Sequence, residues 1–279
     1  MSPKKAPRTR NHTLQIESMA QFVETACRYR DDWISGTEYL DPWFRGQRDA
    51  DWPLEPNIFR LDLLNDEDNL RAEFQRRAPQ YISETRPQDY WGWYFLMQHY
   101  GAPTRLLDWT DSALVALFFA LNDDTYKPQE DERNAVVWML DPWWLNRTVL
   151  NEDSIMLPDF DSAQKYLSEP FTALDKGDTR ISPALPVSID PPFIARRVAA
   201  QKSHFTIFGH QRDGLTELGK SADARLVKMV IAKEVAPRLR ADLMTLGLTD
   251  TSIYPDLRGL ANEVTHYHLG LWPPDPYPE

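Results

Sequence analysis

Between residues 97 and 122, four polar side chains interrupt an apolar background of Leu106, Leu107 and Trp109. They are Thr104, Arg105, Asp108 and Thr110, and an almost entirely apolar run follows them that predicts a buried helix. Burying an unpaired charge is very costly, so these groups must pair with one another or bind a ligand. A guanidinium of this kind can hold a ligand phosphate. Chemistry therefore explains the stretch better than packing alone.

Arg105 and Asp108 leave two interpretations open. In the first, they form a bidentate ion pair that locks a buried turn. In the second, they face a ligand and Asp108 takes part in chemistry. His99 and Tyr100 precede them and either line the same pocket, where Tyr100 would stack on a base, or belong to the core.

A second short motif, WFRGQ at residues 43 to 47, predicts a brief buried strand. Arg45 lies near the end of this strand, beside Gly46, where glycine permits a close approach that other residues resist. The chain offers 42 carboxylates as surface partners for Arg45. Its place in the motif nevertheless favours a ligand contact.

The elements that must position these residues mix helical and strand patterns without a regular strand–helix–strand rhythm. This mixture predicts a single α+β domain whose small, mixed or antiparallel central sheet is split by helical insertions. We assign the domain to residues 15–269, a flexible basic terminus to 1–14 and a proline-rich tail to 270–279. The patterns predict helices at 16–35 (N-cap Ser18), 66–84, 161–167 and 234–247, strands at 135–140, 204–209 and 225–232, and a long irregular excursion over 146–190.

The composition argues against several classes of protein. A net charge of −11 disfavours a broad duplex-binding surface, although single-stranded nucleic acid could bind in a small aromatic groove. The single cysteine, Cys27, is assigned to the core of the first helix, and no spacing matches a zinc site. Phosphate-loop and dinucleotide glycine spacings are absent. Without a signal peptide or an apolar run of about 20 residues, we expect a cytoplasmic protein that does not span a membrane.

The motifs together resemble a known family. Phe44-Arg45-Gly46 matches the phenylalanine-arginine-glycine motif that names the FRG-domain family. Residues 98–110, QHYGAPTRLLDWT, closely match its longer motif, and the similarity extends over about residues 35–262. From its sequence, the chain is identified as a member of this family.

The order of the motifs also resembles that of ADP-ribosyltransferases, which use NAD as a substrate. The resemblance implies that Arg45, followed by glycine and Gln47, anchors the ribose or phosphate of NAD. It also implies that the hydroxyls of Thr110 and Ser112 mark the end of a second strand, before a helix. The residues of the 98–112 segment that would line the same NAD pocket are His99, Tyr100 and Arg105.

One departure from that enzyme pattern concerns the catalytic glutamate, whose place is taken by Gln201. Glutamine can hydrogen-bond a ribose hydroxyl, but it lacks the negative charge that stabilises an oxocarbenium-like ribose. Asp108 is the first candidate for that charge and Asp256 the second. Arg196 and Arg197 precede Gln201 and either neutralise a diphosphate or form a solvated helix face.

The resemblance implies NAD-dependent ADP-ribosyl transfer to a macromolecular acceptor, either nucleic acid or a component of translation. Bacterial relatives of such enzymes often act as toxins or in defence against phage, which implies an antitoxin or regulatory protein as partner. The alternative is a non-catalytic module that senses a nucleotide or a protein, in which the arginines hold a ligand phosphate. The missing glutamate favours this alternative.

Overall fold

A mixed β-sheet lies at the centre of the computed structural model, which describes residues 13–34, 40–82, 86–122, 133–167, 183–191 and 203–268. Its strands follow the order β1–β7–β4–β2–β3–β6–β5, in which β1 is parallel to β7 and the other neighbours are antiparallel. The seven strands of the described ranges are β1 (Thr13–Ile16), β2 (Trp43–Gln47), β3 (Leu106–Thr110), β4 (Ala135–Leu140), β5 (Val187–Ile189), β6 (Ser203–Ile207) and β7 (Leu226–Ile231).

Helices pack on both faces of this sheet. None of the helices in the described ranges is long and apolar enough to cross a membrane. The helices are α1 (Met19–Trp33), α2 (Asn57–Arg60), α3 (Glu67–Arg77), α4 (Tyr90–His99), α5 (Ala113–Leu121), α6 (Pro142–Leu150), α7 (Asp161–Leu167), α8 (Gly214–Leu218), α9 (Ala236–Thr245), α10 (Asp250–Ile253) and α11 (Leu257–His268).

The central strands are buried on both faces because their apolar side chains do not alternate with polar ones. On one face, Phe44 and Val137 join the apolar cluster formed with α1, α5 and α9. On the other face, Trp43 and Val136 pack with residues of α2, α6 and α8. A continuous apolar run is typical of a strand covered on both sides. The sheet is therefore an internal layer that holds the motif residues between helices.

Strands β2 and β3 meet at a single residue pair, Phe44 with Thr110. Helix α5 lies directly against β2 at the glycine of the motif. A Cβ atom on Gly46 would overlap the carbonyl oxygen of Ala116 and would lie 2.6 Å from the amide nitrogen of Ala120. Only glycine permits this approach of strand and helix.

Many of the predicted elements are confirmed. Helix α1 begins after Ser18, whose side chain accepts a hydrogen bond from the Gln21 amide at 3.2 Å. The strand at 135–140 has the predicted bounds, and the predicted strand at Trp43 is present but continues to Gln47, one residue beyond its expected end at Gly46. The α+β class is confirmed, but seven strands exceed the small sheet that was predicted. Strand β1 was not predicted, and it begins at Thr13, within the segment assigned to a flexible terminus.

Two further expectations differ from the structure. Helix α6 and strand β5 lie within or overlap the stretch predicted as an irregular excursion, whereas the helix at 161–167 is confirmed. The assignment of Cys27 to the core is wrong, since its side chain is exposed. Helix α1 instead buries the face that carries Phe22, Ala26 and Tyr29.

We predict that Gly46→Ala lowers the free energy of unfolding by about 3 kcal/mol or more, because the added methyl group meets backbone atoms of α5. Gly101→Ala is the comparison, since Gly101 has φ +78° and open space around its Cβ position. That variant should lose only about 1–2 kcal/mol from left-handed backbone strain. Denaturant unfolding of both variants measures the difference. Equal losses would contradict the close approach of β2 and α5.

Candidate functional site

A cleft of about 450 Å³ opens beside the point where β2 and β3 separate. Its walls come from β2 and the loop that follows it, α4, β3, α5 and β6, with Tyr254 contributing from the segment after α10. The volume lies within the range of small-ligand sites. Arg45, Gln98, His99 and Asp108 bring polar groups into walls that also carry several aromatic rings.

Arg45 replaces part of the ladder between β2 and β3. Continuing the register from the pair Phe44–Thr110 would set Gly46 opposite Asp108, but no such pair forms. Instead, Nη1 of Arg45 donates a hydrogen bond of 2.8 Å to the carbonyl oxygen of Asp108. Nε of Arg45 is buried and has no hydrogen-bond partner among the described residues. A buried donor left unsatisfied is costly, which points to a ligand acceptor at this position.

Burial also changes the acidity of Arg45. Desolvation lowers the pKa of Arg45 to about 10; Asp108 opposes this shift, and the neighbouring positive charge of Arg60 adds to it. The guanidinium therefore stays charged at neutral pH. It is partly desolvated, so an anion placed next to it would be held strongly.

Asp108 presents its carboxylate to the same cleft. Oδ2 accepts a hydrogen bond of 2.8 Å from the side-chain amide of Gln98 and lies 3.9 Å from Nη1 of Arg45. Although 53% of its side-chain surface is exposed, desolvation by the cleft walls raises the pKa of Asp108, and the charge of Arg45 offsets part of that shift. A carboxylate with a raised pKa is a stronger base than an ordinary aspartate and a candidate for catalysis.

A polar chain fixes this carboxylate. The hydroxyl of Thr104, which is fully buried, donates to the side-chain oxygen of Gln98. Because this bond fixes the side-chain oxygen of Gln98, the side-chain nitrogen faces Asp108 and donates to its carboxylate. Gln98 was not among the predicted site residues, although it is the first residue of the QHYGAPTRLLDWT motif. A neutral side chain in a helical pattern carries no signal of its own, and only its position beside Asp108 shows its role.

Arg105 is structural and does not contact the cleft. Its side chain is 0% exposed, and its Nε is bonded to both carboxylate oxygens of Glu67 at 2.9 and 3.0 Å. Nη1 donates to the carbonyl oxygen of Phe208 at 2.8 Å, and Nη2 donates to that of Tyr166 at 2.6 Å. The predicted ligand contact of Arg105 is therefore wrong. The predicted Arg105–Asp108 pair does not form either, because Glu67 takes the place of Asp108.

Tyr94 completes the buried network around Arg105. Its hydroxyl donates to Glu67 and accepts a hydrogen bond of 2.7 Å from the amide of Arg105. Burial and the carboxylate of Glu67 raise the pKa of Tyr94 well above its usual value. The phenol therefore remains protonated and acts as a fixed donor.

Gln47 and Thr110 line the cleft, but each has internal partners. The side chain of Gln47 donates to the carbonyl oxygen of Pro53 at 3.2 Å and accepts from the indole of Trp138 at 2.7 Å. The hydroxyl of Thr110 accepts from the amide of Ser112 at 3.2 Å. Ser112 itself caps α5 by accepting from the amide of Val115 at 3.4 Å. These residues shape the cleft and hold its loops rather than offer free groups to a ligand.

The remaining predicted residues divide into three groups. His99 lines the cleft, and its positive charge would lower the pKa of Asp108. Tyr100 is 72% exposed and is not among the lining residues, so the predicted stacking in this cleft is wrong. Asp256 lies outside the cleft walls and caps α11 by accepting hydrogen bonds from the amides of Arg258 and Gly259. Gln201, Arg196 and Arg197 lie outside the described residues.

Metal chemistry has no candidate cluster in the described part of the chain, where no group of three or more histidine, cysteine, aspartate or glutamate side chains could hold an ion. The polar groups that line the cleft are instead guanidinium groups, one carboxylate, amides, hydroxyls and an imidazole. These groups suit recognition of a phosphate-bearing, hydroxyl-rich ligand.

Comparison with known proteins finds a match for the segment that supplies most of the residues lining this cleft. Residues 41–129 match the family model of the FRG domain, and the match includes Arg45, Gln98 and Asp108. This match supports the assignment to the FRG-domain family that the two motifs indicated. No curated protein and no solved structure matches the chain significantly.

We predict that Glu67→Gln lowers the free energy of unfolding by about 3–5 kcal/mol, because it leaves the buried charge of Arg105 without its carboxylate. Glu73→Gln is the matched control on the same helix, where Glu73 pairs with Arg76 at the surface. Its unfolding midpoint should stay close to that of the wild type. Urea unfolding followed by tryptophan fluorescence measures both. A Glu67→Gln variant as stable as the control would contradict the proposed role of the pair.

A second prediction concerns the pH dependence of stability. Because the pKa of Asp108 is raised in the folded protein, the folded state binds this proton more tightly than the unfolded state does. Stability from this group should therefore rise as the pH falls from the folded pKa of Asp108 toward its ordinary value of 3.8. The measurement is the difference in unfolding free energy between wild type and Asp108→Asn across that range. A difference that falls with decreasing pH would show that the shift has the opposite sign.

Proposed function

We propose that the cleft is the active site of an NAD-dependent ADP-ribosyltransferase that modifies a macromolecular acceptor. The observation that carries the proposal is the pairing of two groups at the opening between β2 and β3. Arg45 offers a buried Nε that has no partner among the described residues, and Asp108 is the one carboxylate among the described residues that line the cleft. Phosphate binding and stabilisation of a cationic ribose require these two charges.

Arg45 is the proposed anchor for a phosphate or ribose oxygen of NAD. Its Nη1 is held on the carbonyl of Asp108, so the plane of the guanidinium is fixed before a ligand arrives. Nε is then available to donate to an oxygen, which satisfies the buried group. Preorganisation of this kind reduces the entropy that is lost on binding.

Asp108 is the proposed source of negative charge in the reaction. The C–N bond between the ribose and nicotinamide breaks heterolytically, its electron pair leaves with neutral nicotinamide, and positive charge develops on the ribose. A carboxylate fixed by Gln98 stabilises that charge. A nucleophilic oxygen or nitrogen of the acceptor then bonds to the anomeric carbon and loses its proton. The raised pKa of Asp108 suits it to receive that proton.

The aromatic walls supply surfaces for the two ring systems of NAD. Trp52, Phe95, Phe119 and Tyr254 line the cleft and lie on four different segments. Rings of this kind bury planar ligand groups and orient them by stacking. Transfer of ADP-ribose to nucleic acid or to a component of translation would suit a toxin or phage-defence effector, restrained by a partner protein in its own cell.

A non-catalytic nucleotide-sensing module is the second candidate. The sequence feature that favours it is Gln201, which the resemblance to ADP-ribosyltransferases assigns to the place of their catalytic glutamate. In that function Arg45 would hold the phosphate in the same way, and Asp108 would serve to position Arg45 and Gln98. The two candidates therefore share a ligand site and differ in whether the glycosidic bond of NAD is broken.

Incubation of the purified protein with NAD labelled in its adenylate half, with and without cell lysate, tests the proposal. We expect nicotinamide release and transfer of label to a macromolecule. Arg45→Ala should abolish both. Asp108→Asn should slow nicotinamide release by about 100-fold or more while NAD still binds, because the variant keeps the shape of the side chain and removes its charge.

Asp31→Asn is the matched control, because Asp31 is an exposed aspartate that pairs with Arg30 on α1. This variant should release nicotinamide at the wild-type rate. If the wild type binds NAD through Arg45 but releases no nicotinamide and transfers no label, the enzyme assignment is wrong. The sensor function would then account for the cleft.

A further inference from the structure

Three arginines surround the indole ring of Trp52. The guanidinium carbons of Arg48, Arg60 and Arg133 lie 5.9, 5.9 and 5.8 Å from the ring centroid. Arg48 follows β2, Arg60 ends α2 and Arg133 precedes β4, so the fold brings together three separate segments. Guanidinium groups at this distance over an indole interact favourably with its π-face. We call this group the Trp52 cluster.

The Trp52 cluster is continuous with the cleft. Trp52, Arg48 and Arg60 line the cleft together with Arg45. The charge of Arg60 lowers the pKa of Arg45, which shows that the two guanidinium groups are close enough to repel each other. This edge of the cleft therefore carries concentrated positive charge, although the whole chain has a net charge of −11. Such local fields concentrate anionic ligands.

Nearby carboxylates balance part of this charge. Asp49 lies 3.6 Å from Arg133, and Glu55 favours the charged form of Arg60. Glu55 is shared, however, because it also forms an ion pair of 2.7 Å with Arg212. An anion that binds at the cluster would therefore reduce the repulsion between Arg45 and Arg60.

We propose that the Trp52 cluster is the docking site for a single-stranded nucleic acid. Its phosphates would pair with the arginines, while an unpaired base stacks on the indole or on a guanidinium plane. The strand would continue from the cluster into the cleft and present its nucleotide beside Asp108. The strand's role as acceptor rests on the ADP-ribosyl transfer proposed above, whereas its binding does not.

The chemistry of the cluster favours a single strand over other anionic macromolecules. A duplex shields its base faces and needs a broad basic surface, which the overall charge disfavours. An acidic peptide would supply carboxylates, but its acidic residues carry no aromatic ring. Each nucleotide of a single strand carries both a phosphate and a base. A single strand alternates bases with phosphates, and the Trp52 cluster offers an indole for a base and guanidinium groups for phosphates.

Fluorescence anisotropy in the absence of NAD tests the inference. The probes are a labelled 12-nucleotide single strand of mixed sequence, as DNA and as RNA, and the DNA duplex of the same sequence, each titrated at several NaCl concentrations. We expect the single strand to bind more tightly than the duplex. Arg133→Ala should weaken binding of the strand and reduce the slope of log K against log salt by about 0.7, the value for one lost phosphate contact. Trp52→Ala should weaken binding about tenfold.

Two further variants keep this test decisive. Trp52→Phe retains a ring in the fold and should keep most of the affinity that Trp52→Ala loses. Arg76→Ala removes an exposed arginine from α3, where Arg76 pairs with Glu73, and should leave both the affinity and the salt slope unchanged. Equal effects of Arg76→Ala and Arg133→Ala would show non-specific attraction and overturn the docking site.

Three other results would also overturn the inference. They are the absence of binding, duplex binding as tight as that of the single strand, and displacement of the strand by an equal concentration of ADP. The last would assign the cluster to a free nucleotide. Because no NAD is present, these outcomes are separate from those of the nicotinamide assay. If the protein binds the strand but releases no nicotinamide in the separate assay, the docking site is supported and the transferase function is refuted.

Discussion

The buried ion pair between Arg105 and Glu67 is the constraint on which the cleft depends. Arg105 also bonds the main chain at Tyr166 and Phe208, so one side chain joins α3, α7 and the segment after β6 to the start of β3. A buried guanidinium is stable only when its partners are in place, so these elements must assemble together. Asp108 lies farther along β3, so its position depends on the contacts that Arg105 makes at the start of this strand.

The cleft exists because the sheet opens after one residue pair between β2 and β3. A continued ladder would satisfy the backbone groups of both strands and would leave no room for a ligand. Opening the ladder creates space but leaves polar backbone atoms to be satisfied, and Arg45 provides a donor for one of the carbonyls. The same guanidinium thus satisfies the main chain through Nη1 and leaves Nε for the proposed ligand contact.

Local patterns were sufficient to predict much of the fold and part of the site. Helix α1, strands β2 and β4, and the roles of Arg45 and Asp108 as cleft residues follow from periodicity and from polar groups in apolar surroundings. The partner of Arg105 could not be predicted, since Glu67 is 38 residues away and belongs to a charged helix. The Trp52 cluster was missed for the same reason, because its members become neighbours only after the sheet has formed.

Three adjacent residues of β2 serve three different purposes. Phe44 packs into the core with α5, Arg45 enters the cleft, and Gly46 allows the helix to touch the strand. Two letters of the family's name therefore stand for a packing junction, and the middle letter stands for the residue that is proposed to bind the ligand. A relative that retains phenylalanine and glycine but has lost the arginine would be expected to keep the architecture without the ligand. The middle letter alone would then distinguish working members of the family from scaffolds that have been put to another use.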